Sequence, residues 1–349
     1  MLNESGALPG FNPLGLRARL AVAWRRRRSP LLRAGTIKPA SSAARLQDQA
    51  HATLRDAVAY ERHGNQDAAA AAMALALDLF AQAGDTPGGA RASVMAAELA
   101  LRTGRLDTAR EAADSARLAF TALGNAAGEA ASLRLMGTAE LRQGHLQPAR
   151  DHFDAALELI EITGNRAAQA ATLHTLGDVD LRLGKVHVAR FELDHALRLY
   201  TADGNQHGQA CTLQSLGDLA KLEGEPGMAT GCYRKALALL RHVGDTAGEA
   251  QVHLDLARLG VDQADPDDAL AHAQEACRLY EELGEPIGCA HSHYLSALAS
   301  LQHDDEATAQ VLARRAHDLY RAHHEDAMAE SVEGVLEQLR PAMQKTSAR

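Results

Sequence analysis

The residues of this chain best suited to chemistry are its histidines, of which there are 17. His291 and His293 stand two positions apart in a helical segment, so their side chains point to different faces. His323 and His324 fall where the repeat pattern described below breaks down. The sequence contains no H-E-x-x-H zinc motif, no G-x-S-x-G nucleophile motif, no G-x-x-x-x-G-K-S/T phosphate loop and no G-x-G-x-x-G fingerprint. We therefore expect no enzyme, no catalytic residue, no metal site and no cofactor.

The cysteines and the overall composition narrow the class of protein further. The four cysteines form no C-x-x-C pair and no framework spacing, which favours reduced thiols in a cytoplasmic protein. Ala and Leu dominate while aromatic residues make up 3% of the chain, a mixture that favours close helix packing over β-sheet. The four cysteines are Cys211, Cys232, Cys277 and Cys289.

Glycine recurs along the chain with a fixed period of 40 residues. One series is Gly84, Gly124, Gly164, Gly204, Gly244 and Gly284, and a second, offset by half a period, is Gly64, Gly104, Gly144, Gly184 and Gly224. A period of this length is the signature of a stacked-repeat architecture, because each unit has an apolar face that it can bury only against its neighbours. The pattern therefore predicts an extended solenoid with a binding surface along it.

The residues between the glycines predict two helices in each period. Apolar residues recur there at spacings of three and four, which is the helical period. In the first series each glycine but the last is followed by Asn or Asp, as in Gly164 and Asn165. Glycine accepts the left-handed conformation that ends a helix, and the Asn or Asp side chain can cap the next one. Each such pair therefore predicts a tight turn between two helices.

These signals divide the chain into four segments. We predict a basic, disordered leader at 1–41, seven helix pairs within 42–324, a capping helix at 325–341 that ends at Pro341, and a polar tail at 342–349. Towards the end of the array Ala264, Asp304 and His324 stand where the series would place glycine. The pairs are expected at about 45–83, 85–123, 125–163, 165–203, 205–243, 245–283 and 285–323.

The three central repeats share a tighter pattern. The fourth contains Leu173-x2-Leu176-Gly177 in its first helix, then Ala189, Leu193 and Ala196 in its second. The third has Leu133, Met136, Gly137, Ala149, Phe153 and Ala156, and the fifth has Leu213, Leu216, Gly217, Ala229, Tyr233 and Ala236. This pattern resembles the tetratricopeptide repeat, whose usual period is about 34 residues. The chain departs from the usual repeat in its 40-residue period and in lacking the signature Trp and Pro. In this it is similar to variants of the repeat with longer helices, which are found in bacterial signalling and regulatory proteins. The glycine is expected where the two helices approach most closely, facing the alanine.

The resemblance implies an all-α, right-handed superhelix in which the first helix of each pair lines a concave groove. The groove-lining stripe then lies next to the packed Leu-x2-Leu-Gly stripe and is polar in the centre and apolar at both flanks, with Leu54 and Val58 on the N-terminal side. Polar side chains repeated along a groove suit an extended peptide, although they also suit the solvated faces of amphipathic helices. The residues expected to bind a partner are Arg134, Thr138, Arg142, His174, Asp178, Arg182, Gln214, Asp218, Lys221, Leu254, Tyr294 and Leu298.

Charge is divided unevenly between the leader and the repeats. Residues 1–47 carry nine Arg and Lys residues and one acid, Glu4, for a net charge of +8. Because the whole chain has a net charge of −9, the remaining residues have a net charge of −17. A body this acidic repels phosphate backbones, so we expect no nucleic-acid partner. Three interpretations of the leader stay open: a disordered tail, a targeting peptide, or a short amphipathic helix that makes weak membrane contact through Arg25, Arg26, Arg27 and Arg28.

The function expected from the sequence is that of a cytoplasmic, non-catalytic adaptor that holds a peptide segment or helix of a partner protein in its groove. The alternative is a regulatory receptor, in which a peptide or ligand changes the pitch of the solenoid and thereby controls a second protein.

Limited proteolysis tests the predicted boundary between leader and repeats. Because Pro30, Gly35 and Pro39 interrupt the helical pattern before Ser42, we expect early loss of the leader and a resistant core. Mass spectrometry of the fragments identifies the cleavage sites. Protection of Arg25 to Arg28 would instead show that the leader docks on the repeats.

Overall fold

The computed structural model describes residues 42–346, which form fifteen α-helices and no β-strand. The helices of each consecutive pair, from α1 with α2 to α13 with α14, share the most extensive contacts, and α15 packs on α14. The predicted all-α solenoid of helix pairs is therefore confirmed. The helices are α1 (Ser42–Arg62), α2 (Gln66–Ala83), α3 (Thr86–Arg102), α4 (Leu106–Ala122), α5 (Ala126–Arg142), α6 (Leu146–Thr163), α7 (Arg166–Arg182), α8 (Val186–Ala202), α9 (Gln206–Leu222), α10 (Pro226–Val243), α11 (Thr246–Asp262), α12 (Pro266–Leu283), α13 (Pro286–Gln302), α14 (Glu306–Ala322) and α15 (Asp326–Thr346).

Two of the predicted segments lie wholly or partly outside the described residues. These are the leader at 1–41, with its arginine run, and the last residues of the tail predicted at 342–349. Within residues 42–346, no helix combines the length and the apolar character that crossing a bilayer requires.

The turn at Gly164 shows how successive helices are joined. Gly164 has φ of 69° and its N–H donates to Ile160 O at 2.9 Å, which closes α6. The side-chain oxygen of Asn165 then accepts from Ala168 N at 3.1 Å at the start of α7. This is the predicted combination of a left-handed helix end and an N-cap.

The same turn persists where the sequence has lost its glycine. Ala264, Asp304 and His324 have φ of 54°, 58° and 61°, the left-handed conformation that L-residues rarely adopt. Packing of the flanking helices imposes this backbone on them, since the local sequence does not favour it. The repeat geometry therefore extends to the end of the array even though the glycine signal decays.

The two helices of a pair approach closely at the predicted glycine. A Cβ atom built on Gly177 would lie 2.6 Å from Cγ of Leu193 and 3.4 Å from the carbonyl oxygen of Ala189. At Gly217 the nearest atom is Cε1 of Tyr233, at 2.5 Å. The prediction of a close approach is confirmed, but the large residue of the A-x3-F pattern, more than the alanine, occupies the space above the glycine.

The last helix extends beyond its predicted end. Its range, Asp326–Thr346, includes Pro341 and overlaps the predicted tail, while Ala329 and Val332 are fully buried against α13 and α14. A proline lacks the N–H that would bond the carbonyl four residues earlier, which weakens a helix at that point without requiring it to end there. The prediction that Pro341 ends the helix is therefore wrong.

A buried ionic cluster connects the third and fourth pairs. Nε of Arg150 on α6 donates to Asp180 Oδ1 on α7 at 2.8 Å, and Lys185 Nζ lies 3.4 Å from the same oxygen. Glu192 on α8 has one oxygen 4.0 Å from the Arg150 guanidinium, and its other oxygen is buried without a hydrogen-bond partner. Burial, followed by the charge of Asp180, raises the pKa of Glu192 to about 8. Glu192 is therefore mostly protonated at pH 7.

The raised pKa of Glu192 predicts a specific pH dependence of stability. The folded protein binds an extra proton between the ordinary pKa of 4.5 and about 8, so the free energy of unfolding falls as the pH rises through that window. Glu192→Gln removes this proton and should flatten the decline. Thermal unfolding from pH 5 to pH 8 measures it. Glu161→Gln changes an exposed carboxylate on α6 and should keep the wild-type slope. An unchanged slope in Glu192→Gln would contradict the assignment.

Candidate functional site

The predicted partner-binding residues all lie on first helices, namely α5, α7, α9, α11 and α13. We call the surface formed by the first helices of successive pairs the first-helix face. Helices α7 and α9 contact each other directly along this face, as do α3 and α5, and α11 and α13. Side chains from neighbouring pairs are therefore brought together there.

A pocket of about 490 Å³ opens on this face between α7 and α9. Five of the predicted residues line it, which are His174, Asp178, Arg182, Gln214 and Asp218. The sequence analysis missed four others, which are Leu181, Cys211, Ser215 and Leu222. Each of the four lies within three positions of a predicted residue along the same helix, so a wider stripe would have included them.

Hydrogen bonds hold the polar groups of this pocket in place. Nε2 of His174 lies 3.3 Å from Ser215 Oγ on the neighbouring pair and 3.7 Å from Asp178 Oδ2. The Tyr233 hydroxyl donates to Asp218 Oδ1 at 2.7 Å, from the second helix beneath. Both carboxylates keep further acceptor capacity for a ligand, since each can accept several hydrogen bonds.

A carboxyl group that the sequence analysis missed adjoins the pocket. Asp255 on α11 accepts from Nε2 of Gln214 and, at 3.2 Å, from Nε2 of Gln251. Burial, followed by the charge of Asp218, raises the pKa of Asp255 to about 6. Part of the hydrogen-bonding capacity of Gln214 is therefore already used within the protein. Gln214 and Asp255 are 41 residues apart, which is one period plus one residue. This spacing is the feature of the sequence from which their contact could have been predicted.

Two of the predicted residues stabilise the stack instead of facing a partner. The Nη1 group of Arg142 donates to Leu101 O on the preceding pair at 2.7 Å, and Gln302 makes the equivalent bond to Val261 O. Leu254 is 4% exposed and packs in the core between the sixth and seventh pairs. The prediction that Leu254 is available to a partner is wrong, because α13 of the next pair covers it.

Among the remaining predicted residues, Arg134 has a partly buried guanidinium group that pairs with no acceptor in the described part of the chain. It is half-buried on α5 and has no hydrogen-bond or ion-pair partner within residues 42–346. Burial lowers the pKa of Arg134, although the Tyr200 phenol partly offsets that effect. A partly desolvated guanidinium without an acceptor favours an anionic group supplied from outside. Nearby, the Thr138 hydroxyl donates to the Arg134 carbonyl at 2.8 Å and is partly engaged.

The other predicted residues differ in how accessible their side chains are to a partner. Arg182 is exposed and Lys221 half-buried, and neither has an ion-pair partner in the described part of the chain. Tyr294 and Leu298 are half-buried against the cores of the last pairs. Among residues 42–346, no group of three or more His, Cys, Asp or Glu side chains is arranged to hold a metal ion.

The geometry defines an α-solenoid with a polar pocket on its first-helix face. The tetratricopeptide repeat family matches three overlapping segments, at residues 90–162, 129–202 and 168–242. Residues 90–242 are therefore built from tetratricopeptide repeats, and proteins of this family are typically non-catalytic scaffolds for protein interactions. A comparison with curated proteins gives no match.

Solved structures show the same fold at low sequence identity. The signal-transduction ATPase of Pyrococcus horikoshii with a tetratricopeptide repeat sensor superposes with a TM-score of 0.66, at 14% identity, over 84% of this chain and 45% of that chain. A tetratricopeptide repeat protein from Parabacteroides merdae gives 0.58, at 14% identity, over 84% and 99%. A Rap protein complexed with competence and sporulation factor gives 0.54, at 10% identity, over 86% and 99%.

Two substitutions distinguish packed positions from available ones. Ala189 is fully buried against the first helix of its pair, so Ala189→Leu should overpack that joint and cost about 1–3 kcal/mol. Arg182→Ala should change the free energy of unfolding by less than about 0.5 kcal/mol, because the side chain is exposed. Chemical denaturation measures both. Equal destabilisation by the two variants would show that the packed and available stripes are assigned wrongly.

Proposed function

We propose that this protein is a non-catalytic adaptor that holds a peptide segment or helix of a partner protein on its first-helix face. The observation that carries the proposal is the pocket between α7 and α9, where side chains from two successive pairs present donors and acceptors to one cavity. An extended peptide needs such groups for its backbone as well as for its side chains.

The charges of this face indicate the chemistry of the partner. Arg134, Arg182 and Lys221 are cations without ion-pair partners in the described region, while Asp178 and Asp218 offer carboxylates between them. A peptide with acidic residues near its middle fits this pattern, and the carboxylates would fix its orientation. Apolar residues towards the ends of the peptide would meet the flanks, at Leu54 and Val58 on one side and Tyr294 and Leu298 on the other.

A regulatory receptor is the second candidate. It is favoured by the fold similarity to a protein described as having a tetratricopeptide repeat sensor and to a Rap protein complexed with a factor. A receptor would change the pitch of the solenoid when ligand binds. Small-angle scattering with and without a bound peptide separates the two, since an adaptor keeps its radius of gyration and a receptor changes it.

Peptide titration tests the adaptor proposal. Candidate peptides with acidic centres and apolar ends are titrated against the wild type and against Arg182→Glu/Lys221→Glu, at low and high salt. The charge reversal should weaken binding by at least about tenfold, and salt should weaken binding to the wild type, because partly exposed charges are screened over about 10 Å at 0.1 M. Arg142 is left intact because it stabilises the stack.

A matched control makes the same change of charge elsewhere. Lys235→Glu/Arg314→Glu alters two exposed cations on second helices and should bind like the wild type. Equal binding by all three proteins would exclude the pocket as the binding site. Turnover of the peptide would place the protein among the enzymes.

A further inference from the structure

A second cavity lies between the last two pairs, on the side of α13 away from the first-helix face. Its volume is about 490 Å³, and it occupies the gap between the second helices α12 and α14, with α13 as its floor. The α13 residues that line it, His293, Ser296 and Ser300, point roughly opposite to Tyr294 and Leu298 at 100° per residue. The cavity is therefore separate from the proposed partner site.

The repeat register shows why this cavity exists. Six residues that line it are Leu270, Cys277, His293, Ser296, Ser300 and Leu312. The residues 120 positions earlier, three periods back in the same places of the third and fourth pairs, are Arg150, Leu157, Leu173, Leu176, Asp180 and Glu192. There the space is filled by the buried Leu173 and Leu176, by the partly buried Leu157 and by the ionic cluster described above. Smaller side chains at positions 270, 277, 296 and 300 leave the same space empty in the last pairs.

Ser296 is the clearest departure from the repeat. The fourth, fifth and sixth pairs carry the buried residues Leu176, Leu216 and Leu256 at this position. Ser296 is only 5% exposed, lines the cavity, and its hydroxyl has no hydrogen-bond partner within residues 42–346. Replacing a core leucine by a serine loses apolar contacts at this wall of the cavity and leaves the hydroxyl without a hydrogen bond to any described residue. A molecule in the cavity would restore both.

The polar groups deep in the cavity, away from its exposed rim, are uncharged. Burial, aided by the charge of Arg315, lowers the pKa of His293, and burial raises the pKa of Cys277 to about 12, so both are neutral at pH 7. Nε2 of His293 lies 3.8 Å from the Cys277 sulfur, and its other ring nitrogen has no partner among the described residues. Among the titratable groups at the exposed rim, Arg278 is engaged by two glutamates on its own helix, His303 by Asp267, and Asp305 by the Thr308 N–H. Within residues 42–346, Glu281 has only a long contact of 3.8 Å with the Cys277 sulfur.

We propose that this cavity binds a small uncharged organic molecule with an apolar body and one or two hydrogen-bonding groups. Leu270 and Leu312 contact the apolar body, while the Ser296 hydroxyl and the His293 ring bond its polar group. The volume lies in the range of natural small-molecule sites. This site does not depend on the partner site, and either could exist without the other.

Benzyl alcohol is a suitable probe, with benzylamine and benzoate as charged analogues on the same ring. A fragment of this size in a well-formed pocket is expected to bind with a Kd of about 1 mM, measured by NMR titration of the full chain up to about 10 mM. The charged analogues should bind at least about tenfold more weakly, because the hydrogen-bonding groups deep in the cavity, Ser296 and His293, are uncharged, whereas the Glu281 carboxylate lies at the exposed rim. Absence of benzyl alcohol binding, or tighter binding of either analogue, would overturn the proposal.

Ser296→Leu restores the residue of the earlier pairs and should fill the cavity. We expect its Tm to rise by about 2–4 °C and its binding of benzyl alcohol to be lost. Cys277→Leu, which matches Leu157, Leu197 and Leu237 of the earlier pairs, provides a second filling variant should the first fail to fold. Ser331→Leu places the same side chain at an exposed position of α15 and should bind the probe like the wild type. Unchanged binding by a folded filling variant would show that the probe binds elsewhere and would overturn the proposal.

Discussion

The spacing between the two helices of a pair depends on one contact, in which a large side chain of the second helix lies on a glycine of the first. A Cβ on Gly177 would stand 2.6 Å from Leu193 Cγ, which is closer than real side chains come. Since this contact recurs every 40 residues in the central pairs, the first helices stack in a regular register and residues 41 positions apart meet. Three such meetings are Arg142 with Leu101, His174 with Ser215, and Gln214 with Asp255.

A regular register lets the same position serve different purposes in different pairs. Between the third and fourth pairs, Arg150 and Asp180 belong to a buried ionic cluster, whereas Leu270 and Ser300 line an open cavity three periods later. Each layer of a solenoid contacts only its neighbours, so a layer with an imperfectly filled core need not unfold the others. Departures from the repeat are therefore tolerated locally, and the positions where they cluster are candidates for binding.

The first-helix face illustrates how neighbours decide the availability of a side chain. Arg142 and Arg182 occupy equivalent positions one period apart, yet the first bonds a carbonyl of the preceding pair, whereas the second makes no such bond among the described residues and lines the pocket. Leu254 and Gln214 are likewise equivalent, but the leucine is buried under the next first helix while the glutamine lines the pocket. A binding surface on a repeat protein thus consists of the residues that the next pair leaves uncovered.

The sequence by itself determined the helix pairs, their turns and the glycine contacts, because periodicity, helix ends and steric room are local properties. It also placed five of the nine pocket residues on one face, since helical spacing fixes direction along a single helix. It did not reveal that Leu254 is buried, that Asp255 bonds Gln214 beside the pocket, or that Ser296 opens a cavity on the other side. Those outcomes depend on which side chains of adjacent pairs meet and how well they fill the space between them. The fit between adjacent pairs is a property of the packed stack, and it cannot be predicted from the sequence of one helix alone.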